Sequence, residues 1–108
     1  MKIRNATSAD IPEMAELLHE LFVIEADFAP HFETQSQGLA LMLKRDSARV
    51  FVAETDGKVV GMCSVQTLVS TAKGREVGLV EDVVVDIEYR ARGIGTALLQ
   101  KVEEWAFV

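Results

Sequence analysis

Residues 90–95, Arg-Ala-Arg-Gly-Ile-Gly, place two positive charges and two glycines directly at the start of a predicted helix. The first amides of a helix have no hydrogen-bond partner inside the helix, and the helix dipole makes that end partly positive. Gly93 and Gly95 let an anion approach the backbone because neither carries a Cβ atom, while Arg90 and Arg92 add positive charge. The segment therefore predicts a phosphate-binding turn.

Two common phosphate-binding motifs do not fit these residues. A P-loop needs Lys followed by Ser or Thr after its last glycine, whereas Gly95 is followed by Thr96 and Ala97. A dinucleotide-binding turn needs three glycines and an acidic residue about 20 positions later on the next strand. This sequence has two glycines there and stops before another strand.

The turn resembles the signature of the GNAT family of N-acetyltransferases: Arg or Gln, two residues, Gly, one residue, then Gly or Ala. Arg90, Gly93 and Gly95 match all three specified positions, after a valine-rich strand and before a helix. The resemblance implies that backbone amides of the turn hold the pyrophosphate of acetyl-CoA and that the strand pairs with its pantetheine arm. It assigns this binding to Val83, Val84, Val85, Arg90, Ala91, Arg92, Gly93, Ile94, Gly95 and Thr96, and it implies no metal.

Two carboxylates precede the turn on the valine-rich strand, Glu81 and Asp82. Residues 81–95 also resemble the diamine (polyamine) acetyltransferases, in which a Glu in the place of Glu81 is considered the general base acting on the amine. A carboxylate near the reacting carbon can take the proton that an amine must lose before it attacks a thioester. Strand alternation predicts opposite faces for Glu81 and Asp82 unless a bulge intervenes, and we favour Glu81 as the base. The alternative is a solvated carboxylate.

Three other residues are weaker candidates for function. Phe28 and His31 lie where the family places substrate-facing residues, between its first two helices, although a plain surface loop is the favoured explanation. Cys63 stands in an apolar strand with no histidine at a telling position, which predicts a small core residue rather than a nucleophile.

The spacing of apolar residues predicts the elements that position these groups. Capping patterns at Thr7/Asp10 and Thr34/Gln37 predict two helices, ending near residues 25 and 46, and a third helix follows Gly93. Strands are predicted at residues 1–5, 49–55, 58–68 and 76–85, with a hairpin turn at residues 56–57.

The resulting order, β-α-α-β-β-β-α, predicts one α/β or α+β domain over residues 1–108, built around one sheet. The resemblance implies the N-terminal part of the GNAT-type acyl-CoA N-acyltransferase fold, with a mixed, mainly antiparallel sheet. The family's later strands and helix, with its usual general acid, have no counterpart in this sequence.

Composition limits the remaining classes. Eleven basic and seventeen acidic residues give a net charge of −6, which opposes binding to nucleic acid. One cysteine supports neither a disulfide nor a cysteine-based metal site, and the sequence contains no membrane-spanning run and no signal-peptide pattern, so a cytoplasmic location is predicted.

Two functions from different classes follow. One is an N-acetyltransferase, or its N-terminal portion, which moves acetyl from acetyl-CoA to a small-molecule amine. The other is a non-catalytic CoA-binding or interaction module with the same fold. With no later neighbour, the valine-rich strand is predicted to be an open edge, covered by a homodimer, an exchanged element or residues beyond this sequence.

Overall fold

The computed structural model describes residues 1–24 and 32–106, and it confirms the predicted element order. Four strands form one antiparallel sheet in the order β1-β2-β3-β4, with three helices packed against it. The elements are β1 (Lys2–Asn5), α1 (Ile11–Ile24), α2 (Phe32–Leu43), β2 (Ala48–Thr55), β3 (Lys58–Ser70), β4 (Arg75–Val85) and α3 (Ile94–Ala106).

The turn between β2 and β3 forms at the two residues that the sequence predicts. Asp56 and Gly57 have φ angles of 51° and 76°, and Thr55 pairs with Lys58 across the turn. Two positive φ angles in succession are typical of a type I′ turn, whose twist matches that of the paired strands. This hairpin sets the register between β2 and β3.

The two predicted capping patterns have different outcomes. At the first, the Thr7 amide donates to Asp10 Oδ2 at 2.8 Å, and a 3-10 turn (Ser8–Asp10) leads into α1. At the second, α2 already begins at Phe32, so Thr34 lies inside its first turn and does not cap it. The prediction was wrong because Thr34 is tolerated within the first turn of a helix, where the backbone amides have no partner inside the helix in any case. The helix also ends earlier than predicted, at Leu43.

The sheet separates two apolar clusters. On one face, Met14, Leu18 and Leu39 from α1 and α2 pack with Met62 and Val84 of the sheet. The other face carries α3, whose apolar stripe packs on Phe51, Ala53, Val60, Cys63 and Val65. The molecule is therefore a three-layer sandwich in which the sheet separates the helix pair from α3.

Gly61 allows α3 to lie close to the sheet. A Cβ atom built at this position would lie 3.1 Å from Ile94 Cγ2, 3.4 Å from Leu98 Cδ1 and 3.4 Å from the Val84 carbonyl oxygen. The first turn of α3, which carries the glycine motif, is thus held against the middle of the sheet.

A partly buried ion pair ties β1 to the start of the first helical segment. The Arg4 guanidinium donates to both carboxylate oxygens of Asp10, at 2.8 and 2.9 Å, and to Glu54 Oε1. These bonds hold the pKa of the Asp10 carboxyl below its usual value, despite the opposing effect of burial. The stability gained is present above the unfolded pKa of about 3.9 and is lost as the pH falls through the lower folded value.

We expect Asp10→Asn to lower the free energy of unfolding by about 1.5–3 kcal/mol at pH 7, the scale of hydrogen bonds to a charged group. Urea denaturation of both proteins between pH 7 and pH 3 measures the difference. It should shrink below about pH 4, because the Asp10 carboxyl of unfolded wild type then binds a proton that the folded protein binds only at lower pH. A difference that stays constant over this range would contradict the assignment.

Candidate functional site

The predicted phosphate-binding turn forms a shallow depression at the start of α3. Its volume is about 300 Å³, and seven of the ten residues predicted to bind cofactor line it, together with Tyr89. The Ala97 amide donates to the Gly93 carbonyl at 3.0 Å and makes the first bond of the helix. The amides of Ile94, Gly95 and Thr96 therefore form the first turn, which has no acceptor within the helix. This is the geometry that favours an anion.

The backbone of the turn depends on Gly93. Its φ angle is 79°, and the space where a Cβ would project contains no atom within 4 Å. Ala91 also has a positive φ, 62°, which an L-residue adopts at some cost. Gly95 differs from Gly93, because a Cβ there would make only an ordinary 4.0 Å contact with Val85. Gly93 is thus the glycine that the turn requires.

The two arginines of the motif act differently. Arg90 lines the depression, and its Nε donates to the Val85 carbonyl oxygen at 3.0 Å, so it joins the turn to the end of β4. Arg92 lies over the Tyr89 ring, with its Cζ atom 5.1 Å from the ring centroid.

Lys58 also contributes positive charge near the turn. Its Nζ atom lies 5.6 Å from the centroid of the Tyr89 ring and 3.6 Å from Asp86 Oδ2. Sequence reasoning missed Lys58, which comes from the β2–β3 hairpin and reaches the turn only in the folded protein.

The end of β4 presents backbone groups on two sides. The Val85 carbonyl oxygen, bonded by Arg90, points away from β3. Because the backbone groups of neighbouring strand residues alternate in direction, those of Val83 point the same way and those of Val84 point to β3. The Val84 side chain is buried on the α1/α2 face. In the described residues β4 pairs with β3 alone, so Val83 and Val85 lie on the outer edge.

A β-bulge lies at Glu81 and Asp82. Val83 is opposite Cys63 and Val80 is opposite Val65, so the single residue Ser64 lies opposite both carboxylates. Asp82 Oδ2 accepts from Ser64 Oγ at 3.3 Å, and Glu81 Oε1 accepts from Gln66 Nε2 at 3.3 Å. Ser64 and Gln66 are two residues apart on β3 and share a face, the one that α1 and α2 cover.

The bulge changes the prediction for the two carboxylates. Simple alternation predicts Glu81 and Asp82 on opposite faces, but both bind side chains of the same face of β3. Glu81 is exposed and Asp82 is half-buried. Glu81 lies four residues, or about 13 Å of extended strand, from Val85, which lines the predicted phosphate-binding turn. An exposed carboxylate thus stands along the same strand that leads to the turn.

Cys63, Phe28 and His31 are the remaining candidate residues. Cys63 is fully buried against α3, and burial, with a smaller contribution from the charge of Asp82, raises the pKa of its thiol to about 11. The prediction of a core residue is confirmed, and the reactive thiolate is disfavoured. Phe28 and His31 lie outside the described residues.

Within residues 1–24 and 32–106, no three His, Cys, Asp or Glu side chains are grouped as a metal site requires. No helix in these residues is long and apolar enough to cross a membrane.

A comparison with family models decides the classification. The model of the acetyltransferase (GNAT) family matches residues 11–108, which include the bulge, the edge of β4 and the glycine turn. The chain belongs to the GNAT family. The resemblance read from Arg90, Gly93 and Gly95 is therefore confirmed, and so are the fold and the acetyltransferase class. Acetyltransferases of the GNAT family use acetyl-CoA.

Individual relatives agree with this classification. An uncharacterized N-acetyltransferase of Methanocaldococcus jannaschii is 32% identical over 109 residues, which cover 96% of this chain and 47% of the relative. The chain therefore spans about half the length of that protein. Glucosamine 6-phosphate N-acetyltransferase of Trypanosoma brucei brucei is 32% identical over 107 residues, covering 96% of this chain and 70% of the relative.

Solved structures show the same fold. A putative acetyltransferase from Agrobacterium tumefaciens superposes with a TM-score of 0.79 at 26% identity, covering 99% of this GNAT chain and 74% of the other. The predicted α+β arrangement, with its mainly antiparallel sheet, is confirmed; among the described strands every pairing is antiparallel.

Proposed function

We propose that this GNAT chain, or the longer protein of which it forms a part, transfers the acetyl group of acetyl-CoA to a small-molecule amine. The observation that carries the proposal is the bulge of β4. The bulge places the exposed carboxylate of Glu81 on the same face as Gln66. The outer edge of the same strand leads to the proposed anion-binding turn. The proposed base, the outer backbone edge of β4 and the proposed anion-binding turn therefore all lie within one segment, residues 81–96.

The turn fits the pyrophosphate of acetyl-CoA. The amides of Ile94, Gly95 and Thr96 are unpaired within the helix, and the space beside Gly93 is open. Arg90 lies in the depression, and Arg92 is held beside it by the Tyr89 ring. We assign the pantetheine arm to the backbone groups of Val83 and Val85 on the outer edge of β4. Val84 supports this edge through its buried side chain.

Glu81 acts as the general base in this proposal. Acetyl-CoA supplies an activated acetyl thioester. The carboxylate of Glu81 accepts a proton from the acceptor amine, directly or through a water molecule, so that the nitrogen lone pair can form the new C–N bond as the C–S bond breaks. Gln66 orients this carboxylate through its hydrogen bond to Oε1. Asp82 is held by Ser64 and therefore contributes to the shape of the bulge.

The acceptor is proposed to be a small primary amine. The relative from Trypanosoma brucei brucei is named for glucosamine 6-phosphate, a small molecule with a single amine, and residues 81–95 resemble the diamine branch. Phe28 and His31, which lie between α1 and α2 in the sequence, are the proposed acceptor contacts. The predicted cytoplasmic location and the predicted absence of a nucleic-acid partner remain predictions.

Two measurements test the proposal. Calorimetric titration with CoA tests the turn, and release of free CoA thiol with mass detection of the acetylated amine tests transfer, using polyamines, lysine and glucosamine 6-phosphate as acceptors. Binding together with product formation supports the proposal. Binding without product from any acceptor favours the CoA-binding module instead, and absence of both overturns the assignment.

The homodimer remains a prediction. In the described residues β4 pairs only with β3, and Leu79 and Val80 on this strand are exposed. Such an edge can pair with the same strand of a second copy. We expect light scattering to show concentration-dependent dimers, and CoA to shift the equilibrium towards monomer if pairing reaches Val83 and Val85. A monomer at every concentration would contradict the prediction.

A further inference from the structure

A cavity beside the C-terminal half of α2 lies on the sheet face that α1 and α2 cover. Its volume is about 410 Å³, which is within the range that holds a small molecule. The helix, the residues that follow it and one residue of β3 line this cavity: Gly38, Leu41, Met42, Lys44, Arg45 and Gln66. The residue of β3 is brought here by the sheet, because β2 begins at Ala48, directly opposite Gln66.

Gln66 connects this cavity to the proposed base. Its Nε2 donates to Glu81 Oε1 at 3.3 Å, and the same residue lines the cavity. The carboxylate of Glu81 is therefore bonded to a residue of the cavity wall. An amine that gives its proton to Glu81 would lie beside Gln66, and the rest of that molecule would extend towards α2.

The wall at the end of α2 carries two positive charges. Lys44 and Arg45 directly follow the last helical residue, Leu43, and both are exposed. Neither forms an ion pair with another residue of the ranges 1–24 and 32–106. None of the described residues that line the cavity is acidic. Since the chain has a net charge of −6, this pair of cations is opposite in sign to the overall charge.

Two cations in one wall favour an anionic group and disfavour a second ammonium. Lysine and arginine bind phosphate and carboxylate oxygens through charge-assisted hydrogen bonds. Leu41 and Met42 line the same cavity and offer apolar surface to the carbon chain of a ligand. A diamine would instead bring a second positive charge to Lys44 and Arg45, where like charges repel.

We propose that this cavity is the acceptor subsite and that it selects a primary amine whose other end carries an anionic group, bound by Lys44 and Arg45. The inference rests on the proposed function, because it assigns the amine end of the acceptor to Glu81. The anionic end takes no part in bond making. It determines which amines are held beside the base, so Lys44 and Arg45 determine specificity.

The test compares three primary amines of equal chain length that differ at the other end: aminobutyl phosphate, aminobutanol and diaminobutane. We expect kcat/KM of wild type to be about tenfold higher for aminobutyl phosphate than for aminobutanol, because an exposed ion pair contributes up to about fivefold and two would form. Diaminobutane should be the poorest acceptor of the three. The preference should shrink as salt is raised, since exposed charges are screened.

Lys44→Gln/Arg45→Gln removes both charges from the cavity. We expect its KM for aminobutyl phosphate to rise about tenfold, while kcat and the KM for aminobutanol stay within about twofold of wild type. Lys73→Gln/Arg75→Gln is the matched control. It removes the same two residue types, both exposed, at the β3–β4 turn, and should leave every KM unchanged.

Three kinetic outcomes would overturn the proposal. The first is equal selectivity in wild type and Lys44→Gln/Arg45→Gln, and the second is an equal loss in the control pair. The third is a loss of stability in urea without a change in selectivity. That result would mean that the two cations only offset the dipole at the C-terminal end of α2.

A binding experiment separates this inference from the proposed function. Titration of wild type with aminobutyl phosphate, followed by NMR, should shift the amide signals of Lys44, Arg45 and Gln66, and the shifts should be lost in Lys44→Gln/Arg45→Gln. If wild type acetylates none of the three amines, the proposed function fails, and this titration alone decides whether the cavity binds an anionic amine. Absence of the shifts, or equal shifts with diaminobutane, overturns the anionic subsite.

Discussion

Replacing Glu81 with Gln is expected to reduce the turnover of acetyl transfer by roughly 10²–10⁴-fold, the range observed for loss of a general base. The glutamine side chain has the same shape, and its amide oxygen can still accept from Gln66, so the position of the side chain is preserved. What is lost is the ability to take a proton from the acceptor amine. Steady-state kinetics near neutral pH, with titration by CoA, would measure turnover and cofactor affinity separately.

Glu76→Gln is the matched control for this prediction. Glu76 is also an exposed carboxylate on β4, but it lies opposite Val69 in the part of the hairpin far from the bulge. The control removes the same charge from the same strand, so turnover should stay at the wild-type value. Undiminished turnover in Glu81→Gln would rule out the base, and an equal loss in both variants would point to a general effect of charge on the strand.

Gly93→Glu is expected to weaken CoA binding by about 2–4 kcal/mol, or roughly 30–1000-fold in the dissociation constant. Two causes contribute. The φ angle of 79° is unfavourable for any L-residue, and the new carboxylate would bring a negative charge beside the amides that should hold the pyrophosphate. Calorimetric titration of CoA into wild type and variant measures the difference.

Gly74→Glu is the matched control for both causes. Gly74 also has a positive φ, 64°, with no atom within 4 Å of a built Cβ, but it lies in the β3–β4 turn at the opposite end of β4. Its substitution introduces similar backbone strain and the same charge, so stability should fall while CoA affinity stays unchanged. Equal affinity for CoA in wild type and Gly93→Glu would remove the turn from the proposed site.

The local elements of this protein could be predicted from its sequence because their determinants are short-range. Asp56 and Gly57 supply the positive φ angles of a hairpin turn, and the valine-rich run supplies a strand. Arg90, Gly93 and Gly95 lie within six residues of one another, so the turn and the helix that follow from them needed no knowledge of distant contacts. This is why the glycine turn and the resemblance to the GNAT family could be recognised from the sequence.

The failures of prediction are also local. The spacing of Thr34 and Gln37 matches a capping box, yet α2 begins at Phe32. A capping pattern indicates only that a helix can begin at a residue, and the packing of Leu39 into the core decides where the helix lies.

A polar partner for Ser64 could have been predicted from the sequence. Ser64 is the polar residue in the apolar segment Val60–Val65 of β3, and a buried hydroxyl requires a hydrogen-bond partner.

The sequence alone determined the order of the elements, the glycine turn at the start of α3, and the presence of two adjacent carboxylates on β4. Only the tertiary structure decided that both carboxylates share a face, because the bulge arises from the pairing of β4 with β3. It also brought Lys58 to Tyr89 and α3 to Gly61. Side-chain direction in a strand depends on register, and register is a property of two strands together, so one strand's sequence could not specify it.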